Sequence, residues 1–472
     1  MTAIARTMAE ASQPRRWRGN FVVRLLMLLV LSFAVTAQPA MAQSILRDAE
    51  TETLFRDMAR PLVEAAGLSP RNVQIVLIHD KSINAFVAGG QIVYIHSGLI
   101  TAADNANEVQ GVIAHELGHI TGGHVIRMQE GVRVATGIML LSLVLGAAAI
   151  AAGAGDAGAG ILAAGQQAAM GKFLAFTRTQ ESSADQAGAS FLDKAGISGK
   201  GSLSFFKKLQ NLEFRLAIPQ EDSYARTHPL TGERIQQLEN VYRASAAWDA
   251  PPDPAFEERF QRVKAKLLGY VETPQRTLNV YPQSDRSVAA RYARAYAWHK
   301  SAYPQRAQDE VDSLLAERPR DPFFLELKGQ ILLESGKPKE ALESLRQAVA
   351  IAPDQPLIAA LFGHALISTE DPANFDEAKR VLKSAIGRDN SNPFAWYQLG
   401  IVYDREGDPA RAALATAERY NLEDQPKLAL ANAEHALLSL PAGSPDWLRA
   451  QDIAMVSKTE VDRQRGHNDG RR

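Results

Sequence analysis

At 472 residues the chain exceeds what one hydrophobic core usually holds, so two or three domains are expected. Fifty-two basic side chains against 53 acidic ones leave no net field to attract nucleic acid, and 46% apolar residues describe a globular composition. The absence of cysteine excludes disulfides, thiolate metal sites, cysteine nucleophiles and an acylated cysteine anchor.

Residues 1–42 carry the pattern of an export signal. Arg15, Arg16, Arg18 and Arg24 supply the positive side, residues 21–37 the apolar stretch, and Ala40-Met41-Ala42 the small-x-small cleavage site, so a mature chain is expected to begin at Gln43. Leu54, Met58 and Leu62 predict a helix within 48–66, and 73–78 reads as a strand. Residues 84–88, the Gly89-Gly90 turn and 91–95 form a hairpin by their turn chemistry. Its edge, with Asn84, Ala85 and Phe86, is either an ordinary sheet margin or a strand that pairs with an extended substrate backbone.

Val109, Val112, Ile113 and Leu117 then recur at helical spacing behind a capping-box-like Asn105 and Glu108. This helix carries His115-Glu116-Leu117-Gly118-His119. Histidines four apart stand one above the other on a helix face, so their nitrogens can converge on one tetrahedral metal ion. Glu116, one position round, is placed to take a proton from a water on that metal. His-Glu-x-x-His is the zincin signature, moderately specific alone and stronger when a matching third ligand lies downstream.

Residues 134–155 contain no charge, and a second uncharged run, 157–171, follows Asp156. The first is long enough to cross a bilayer, but its Ala and Gly favour close helix packing, so a hairpin that is buried or touches a membrane is expected over a true span. A helix over 173–192 places Glu181 and Asp185 on one face. Glu181 suits a third ligand, and Asp185 suits the far nitrogen of a ligand histidine. The metzincin extension would need histidine at position 125, where the chain has Val; His124 is expected to be structural or exposed. Arg226-Thr227-His228-Pro229 precedes a helix marked by Ile235, Leu238 and Val241, and Arg226 is expected to support the site. Pro229 pushes His228 toward an extended conformation, suited to a loop side chain that is a fourth ligand at rest or a donor to an oxyanion.

Pro251, Pro252 and Pro254 mark a boundary, so 43–250 is expected to be the catalytic domain and 251–286 a linker with a short helix marked by Phe256, Phe260, Val263 and Leu267. Beyond it Ala295, Gly329 and Gly363 recur 34 apart, with Ala307 and Ala341 12 later and Pro319 and Pro353 24 later. That is the grammar of tetratricopeptide repeats. Ala378 arrives three residues late, which an insertion over 371–375 explains. Four units and an irregular cap fill 287–442, and 443–472 is an extension whose polar end after Lys458 is expected to be disordered. Such stacks leave a concave face that binds peptides or partner proteins. The fold expected is α+β, mainly α: a zincin-type metalloprotease domain with a small β-hairpin or sheet, then an all-α tetratricopeptide solenoid.

Taken in order, His115 to His119, Glu181-Ser182-Ser183-Ala184-Asp185 and Arg226 to Pro229, with an apolar insertion between the first two, resemble the gluzincin family of HtpX-like and CAAX-prenyl-type zinc endopeptidases over 48–245. With the signal and the repeats, the whole chain is similar to family members exported to the periplasm of Gram-negative bacteria. The resemblance implies one zinc ion, with His115, His119 and Glu181 as ligands, Glu116 as base, and His228 in the open position until displaced. It also implies unfolded or misassembled outer-membrane proteins as substrates and the outer-membrane assembly machinery as partner of the repeats. The long apolar run departs toward integral-membrane relatives and brings in peripheral membrane contact. Two other readings stay open: a periplasmic chaperone or assembly factor with a plugged metal site, and an integral-membrane protease.

Overall fold

The computed structural model describes residues 44–216, 228 and 231–469; the expected export signal and Arg226 lie outside them. Ile45–Arg472 is one compact unit. A small sheet of order β1-β2-β4-β3 is made of β1 (Ile45–Leu46), β2 (Gln74–Ile78), β3 (Ala85–Ala88) and β4 (Ile92–His96). β2 runs parallel to β4, and β3 antiparallel to it with Ala85 opposite Ile95. Gly89 and Gly90 make the β3–β4 turn at φ of 61° and 98°, a region that L side chains rarely adopt. β3 is therefore a sheet edge, and its start lies beside the motif helix.

α1 (Ala49–Ala65) is capped by Asp48, which accepts from the Thr51 N–H at 2.8 Å, and it buries Leu54, Met58 and Leu62. After α2 (Ser97–Ala102) comes the motif helix, α3 (Ala106–Thr121). Asn105 caps it by accepting from the Glu108 N–H at 3.0 Å, and the Glu108 carboxylate accepts from the Asp104 N–H at 2.8 Å. The reciprocal cap fixes where the helical phase begins, and with it the face on which His115 and His119 fall.

α4 (His124–Ala151) and α5 (Gly155–Lys194) form a long hairpin. The helix expected over 173–192 is the last half of this 40-residue α5. The outer part of the hairpin is not buried in the protein: Leu141 and Val144 are 61% and 66% exposed. α5 then crosses α3 at backbone contact, since a Cβ on Gly118 would stand 2.5 Å from the Ala184 carbonyl oxygen. Only glycine permits that approach, and it brings Glu181 and Asp185 against the histidines. α6 (Lys200–Leu216) and α7 (Gly232–Ala244) complete this layer; on α7 Ile235 and Leu238 are buried as expected, whereas Val241 is exposed and Tyr242 is buried instead.

The segment expected as a linker with a short helix is α8 (Pro254–Val271), 18 residues long, whose Phe260, Val263 and Leu267 lie in the same core as α1 and α3. Its opposite face carries the buried cations Arg262 and Lys266. Arg262 meets Glu50 of α1 at 2.8 Å and Asp321 of the repeats at 2.7 Å; Lys266 meets Asp48 at 2.5 Å, and the Tyr292 hydroxyl donates to Glu50 at 2.8 Å. Each buried charge is paired, so removing one partner would strand the other.

A short α9 (Pro274–Val280) leads to the paired helices: Val288–Lys300 with Pro304–Glu317, Pro322–Glu334 with Pro338–Ile351, Pro356–Ser368 with Phe375–Arg388, and Pro393–Arg405 with Pro409–Leu422. Gly329 and Gly363 hold the 34-residue grid because a Cβ there would stand 2.4 and 2.5 Å from Leu345 and Leu382 of the paired helix. A 3-10 turn, Pro372–Asn374, accounts for the late Ala378. A closing pair, Pro426–Leu437 and Pro445–Asp469, follows. The end after Lys458, expected to be disordered, stays helical to Asp469, because Ile453, Ser457 and Val461 continue a buried stripe at four-residue spacing.

Candidate metal centre

α3 presents Nε2 of both His115 and His119 to one point, 3.1 Å apart. The α3–α5 crossing delivers the Glu181 carboxylate, with Oε2 3.4 Å from His115 and Oε1 3.4 Å from His119. The loop before α7 adds His228, whose Nδ1 lies 3.3 Å from His115 Nε2 and 3.1 Å from Glu181 Oε1. All four donors lie within 4.8 Å of one another and are buried. Four atoms placed tetrahedrally at the usual zinc distances stand about 3.3–3.4 Å apart, and the contacts named above, 3.1–3.4 Å with Glu181 meeting His115 and His119 through different oxygens, are close to that spacing.

The surrounding groups set the orientation of these donors. Asp185 Oδ1 faces His115 Nδ1 at 3.0 Å, the contact expected of it. Arg234 of α7 forks onto Asp185, Nε to Oδ2 at 2.8 Å and Nη2 to Oδ1 at 2.9 Å, and reaches Glu181 Oε2 at 3.2 Å. His119 Nδ1 lies 2.9 Å from Nδ1 of His124, which is buried rather than exposed. With His119 Nε2 turned to the centre as an acceptor, the proton belongs on its Nδ1, and His124 accepts it.

Glu116 is fully buried, and its carboxylate oxygens have no hydrogen-bond partner among the described residues. Its Oε1 is 3.6 Å from Nε2 of His228. That same Nε2 lies 3.3 Å from the Ala85 carbonyl, so the His228 ring links the four-donor cluster to the first residue of β3. Asn84 and Phe86 flank this point: the Asn84 carbonyl accepts from the His96 N–H at 2.9 Å, and Phe86 stacks on Tyr94.

Residues 46–242 match peptidase family M48, and 303–356 and 373–426 match a tetratricopeptide repeat. That M48 match takes in every described residue of the four-donor cluster and of the groups around it. The chain is 27% identical to the beta-barrel assembly-enhancing protease of Yersinia pestis, over 79% of this chain and 76% of that one. It is 26% identical to the protein of that name from Escherichia coli (strain K12), over 78% of this chain and 75% of that one. Metalloprotease LoiP of Escherichia coli (strain K12) is 31% identical over 36% of this chain and 62% of its own length. The protein is thus a metalloprotease, its M48 domain calls for a metal, and its repeats are protein-interaction modules.

Of the residues singled out in the sequence, His115, His119, Glu181, Asp185, Glu116 and His228 meet at this M48 centre. Arg226 lies outside the described residues; among these, Arg234 is a cation that meets the carboxylates. A signal for it was present, since two buried acids on one helix face need a cation nearby, but a polar residue in the first turn of α7 has the appearance of a solvated one. His124 stands in the sequence only as a ligand out of register, which hides its use as a partner for a ligand's far nitrogen.

Without metal the cluster shares its charge unevenly. Burial opposes protonation of His115, but the Asp185 and Glu181 carboxylates outweigh it and push the imidazole up to about 10. Burial and the neighbouring His115 and His228 charges hold His119 well below the ordinary range. Burial works against ionised Glu181, yet His228 and His115 drive its carboxyl far below the usual carboxylate range. Metal must therefore displace a proton from His115. At neutral pH, binding to the metal-free protein is expected to release about one proton per ion, read as a buffer-dependent enthalpy in titration calorimetry, and the release should vanish as the pH passes about 10. The metal-free fold follows the same sign: stabilisation from charged His115 is complete below the unfolded value of 6.5 and lost as pH rises through about 10.

Proposed function

We propose that the protein is an exported, periplasmic zinc metalloendopeptidase that degrades unfolded or stalled outer-membrane proteins and assists their assembly through its repeats. The observation that carries this is the convergence of His115, His119, Glu181 and His228, their donors within 4.8 Å of one another, beside a buried Glu116 whose oxygens make no hydrogen bond among the described residues. Nitrogen and oxygen donors in a four-coordinate arrangement favour zinc. Export is supported by the arginine-flanked apolar stretch and cleavage pattern of 1–42, and the client class by the names of the relatives.

His115, His119 and Glu181 would hold zinc, which would supply a nucleophilic water near neutral pH and polarise the scissile carbonyl. Glu116 takes the proton and passes it to the leaving amine; burial raises its pKa, against the pull of His228 and His115, toward the range a general base needs. The free edge of β3 holds the substrate backbone as an added strand, reading little sequence. Such a strand would compete with His228 for the Ala85 carbonyl, and a ring turned aside is positioned to donate to the oxyanion. Selectivity then falls to the repeats.

One observation favours a second reading. Four protein donors close the site, as in structural zinc centres, which suits a chaperone or assembly factor. Incubating the zinc-loaded protein with an unfolded outer-membrane β-barrel separates the two. Fragments are expected, lost with a chelator and restored by zinc. His228→Ala loses the oxyanion donor, worth about 10²–10³-fold in kcat, and regains about tenfold by opening the site if the open state is a tenth of the population, so a net fall of about 10–100-fold is expected. An intact client kept from aggregating by both proteins would instead establish the chaperone reading.

A further inference from the structure

We propose that the α4–α5 hairpin inserts into a lipid bilayer and holds the M48 domain at its surface. The inference rests on the hairpin alone and is independent of the catalytic reading.

From Val134 onward, exposed Thr136 apart, α4 is apolar on every side that α5 does not cover. Met139, Leu140, Leu141 and then Leu143, Val144, Leu145 are each 50–66% exposed, and two runs of three consecutive residues sweep most of the circumference at 100° per step. A helix lying in the plane of a membrane keeps a polar face, and a helix that is hydrophobic all round needs an apolar surround. The described residues supply none: only 6% of the most apolar 18-residue window of α4, mean hydropathy 2.3, is buried among them.

The contact between the two helices is built in the manner of membrane helices. Gly146 lies against Leu162, Gly158 against Ile150 and Gly165 against Ser142, each too close for a Cβ. The Ser142 hydroxyl donates to the Ile138 carbonyl of its own helix at 2.8 Å, so it asks nothing of its surroundings. Dimensions and charge agree. Residues 134–151 of α4 rise about 27 Å, close to the hydrocarbon thickness of about 30 Å. The tip, 152–156, carries only Asp156, while exposed Arg127, Arg133, Lys172 and Arg178, against one Glu130, ring the end nearest the peptidase. Such a collar fits anionic headgroups. Gln166 and Gln167 are the polar exceptions, about 8–9 Å along α5 from Lys172, near enough to the collar to meet headgroups and water. Glu181 lies nine residues beyond Lys172, so the metal centre would stand about 14 Å from the collar along α5.

The test is flotation of the chain from Gln43 onward with vesicles of phosphatidylethanolamine and phosphatidylglycerol. That start removes the apolar stretch 21–37 as a cause. The protein is expected to rise with the vesicles. The double substitution Leu140→Glu, Val144→Glu should lower the bound fraction at least about tenfold while cleavage of a soluble unfolded client is unchanged. A second readout does not depend on that variant. The chain has no cysteine, so Val144→Cys takes a single environment-sensitive dye, expected to shift to the blue on vesicles and to be quenched by brominated acyl chains. The same dye on Val241→Cys of α7 should not respond. Protein that stays with the dense fraction, or a double variant that floats equally, overturns the proposal. So does a dye at position 144 already shielded without vesicles in a species of doubled mass, which would assign the surface to a second copy.

Discussion

Glu116→Gln is expected to lower kcat for peptide hydrolysis by about 10²–10⁴-fold, the usual contribution of a general base, with zinc content and KM unchanged. The amide keeps the shape of a side chain that is fully buried in α3, so the core around it has no reason to move. Its oxygens make no hydrogen bond among the described residues, and the amide can keep the 3.6 Å approach to His228 Nε2. What disappears is the capacity to accept a proton. In the metal-free protein burial raises the Glu116 pKa; the acid limb of the wild-type rate profile, where activity rises as Glu116 deprotonates, should be absent from the residual activity of the variant. Metal analysis beside the kinetics is the check: zinc lost in step with activity would make Glu116 a structural support and not the base.

Arg234→Ala should destabilise the metal-loaded protein by about 3–5 kcal/mol, because it leaves the Asp185 and Glu181 carboxylates buried beside each other with their cation gone. It should also weaken zinc binding about 10–100-fold, since Asp185 would no longer be held against His115. Arg234→Lys restores the charge but cannot reproduce the two-pronged contact, so only part of the loss should return. Denaturant melts and competition with a chelator measure the two effects separately. A wild-type melt for Arg234→Ala would show that the charges of the cluster are balanced elsewhere.

Much of this centre can be read before any fold is known, because its candidate donors are tied to local periodicity. Four residues separate His115 from His119 and Glu181 from Asp185, and a helix turns each spacing into a shared face. The repeats were legible for a related reason: the close approach that demands small residues recurs with each helical pair, as at Gly329 and Gly363. What escaped depends on contacts between distant segments. Arg234 looks like a surface cation until α7 is packed on α5, and His124 acquires its partner only when the Gly122-Gly123 bend sets α4 beside the end of α3. Phe260, Val263 and Leu267 announced a helix, but nothing local told that this helix belongs to the peptidase core.

The buried ion pairs at the foot of the repeats bear on how a client is handled. Arg262 and Lys266 join α1, α8 and the helices beginning at Val288 and Pro322 through charges that cannot separate without being stranded. A polypeptide caught by the solenoid is therefore not on a leash whose local concentration decays with tether length. It would be gripped in one jaw of a calliper, with the four-donor cluster and Glu116 in the other. Which bonds are cut would follow from how many residues separate them from the gripped segment, so the fragment pattern of an unfolded client would record a distance.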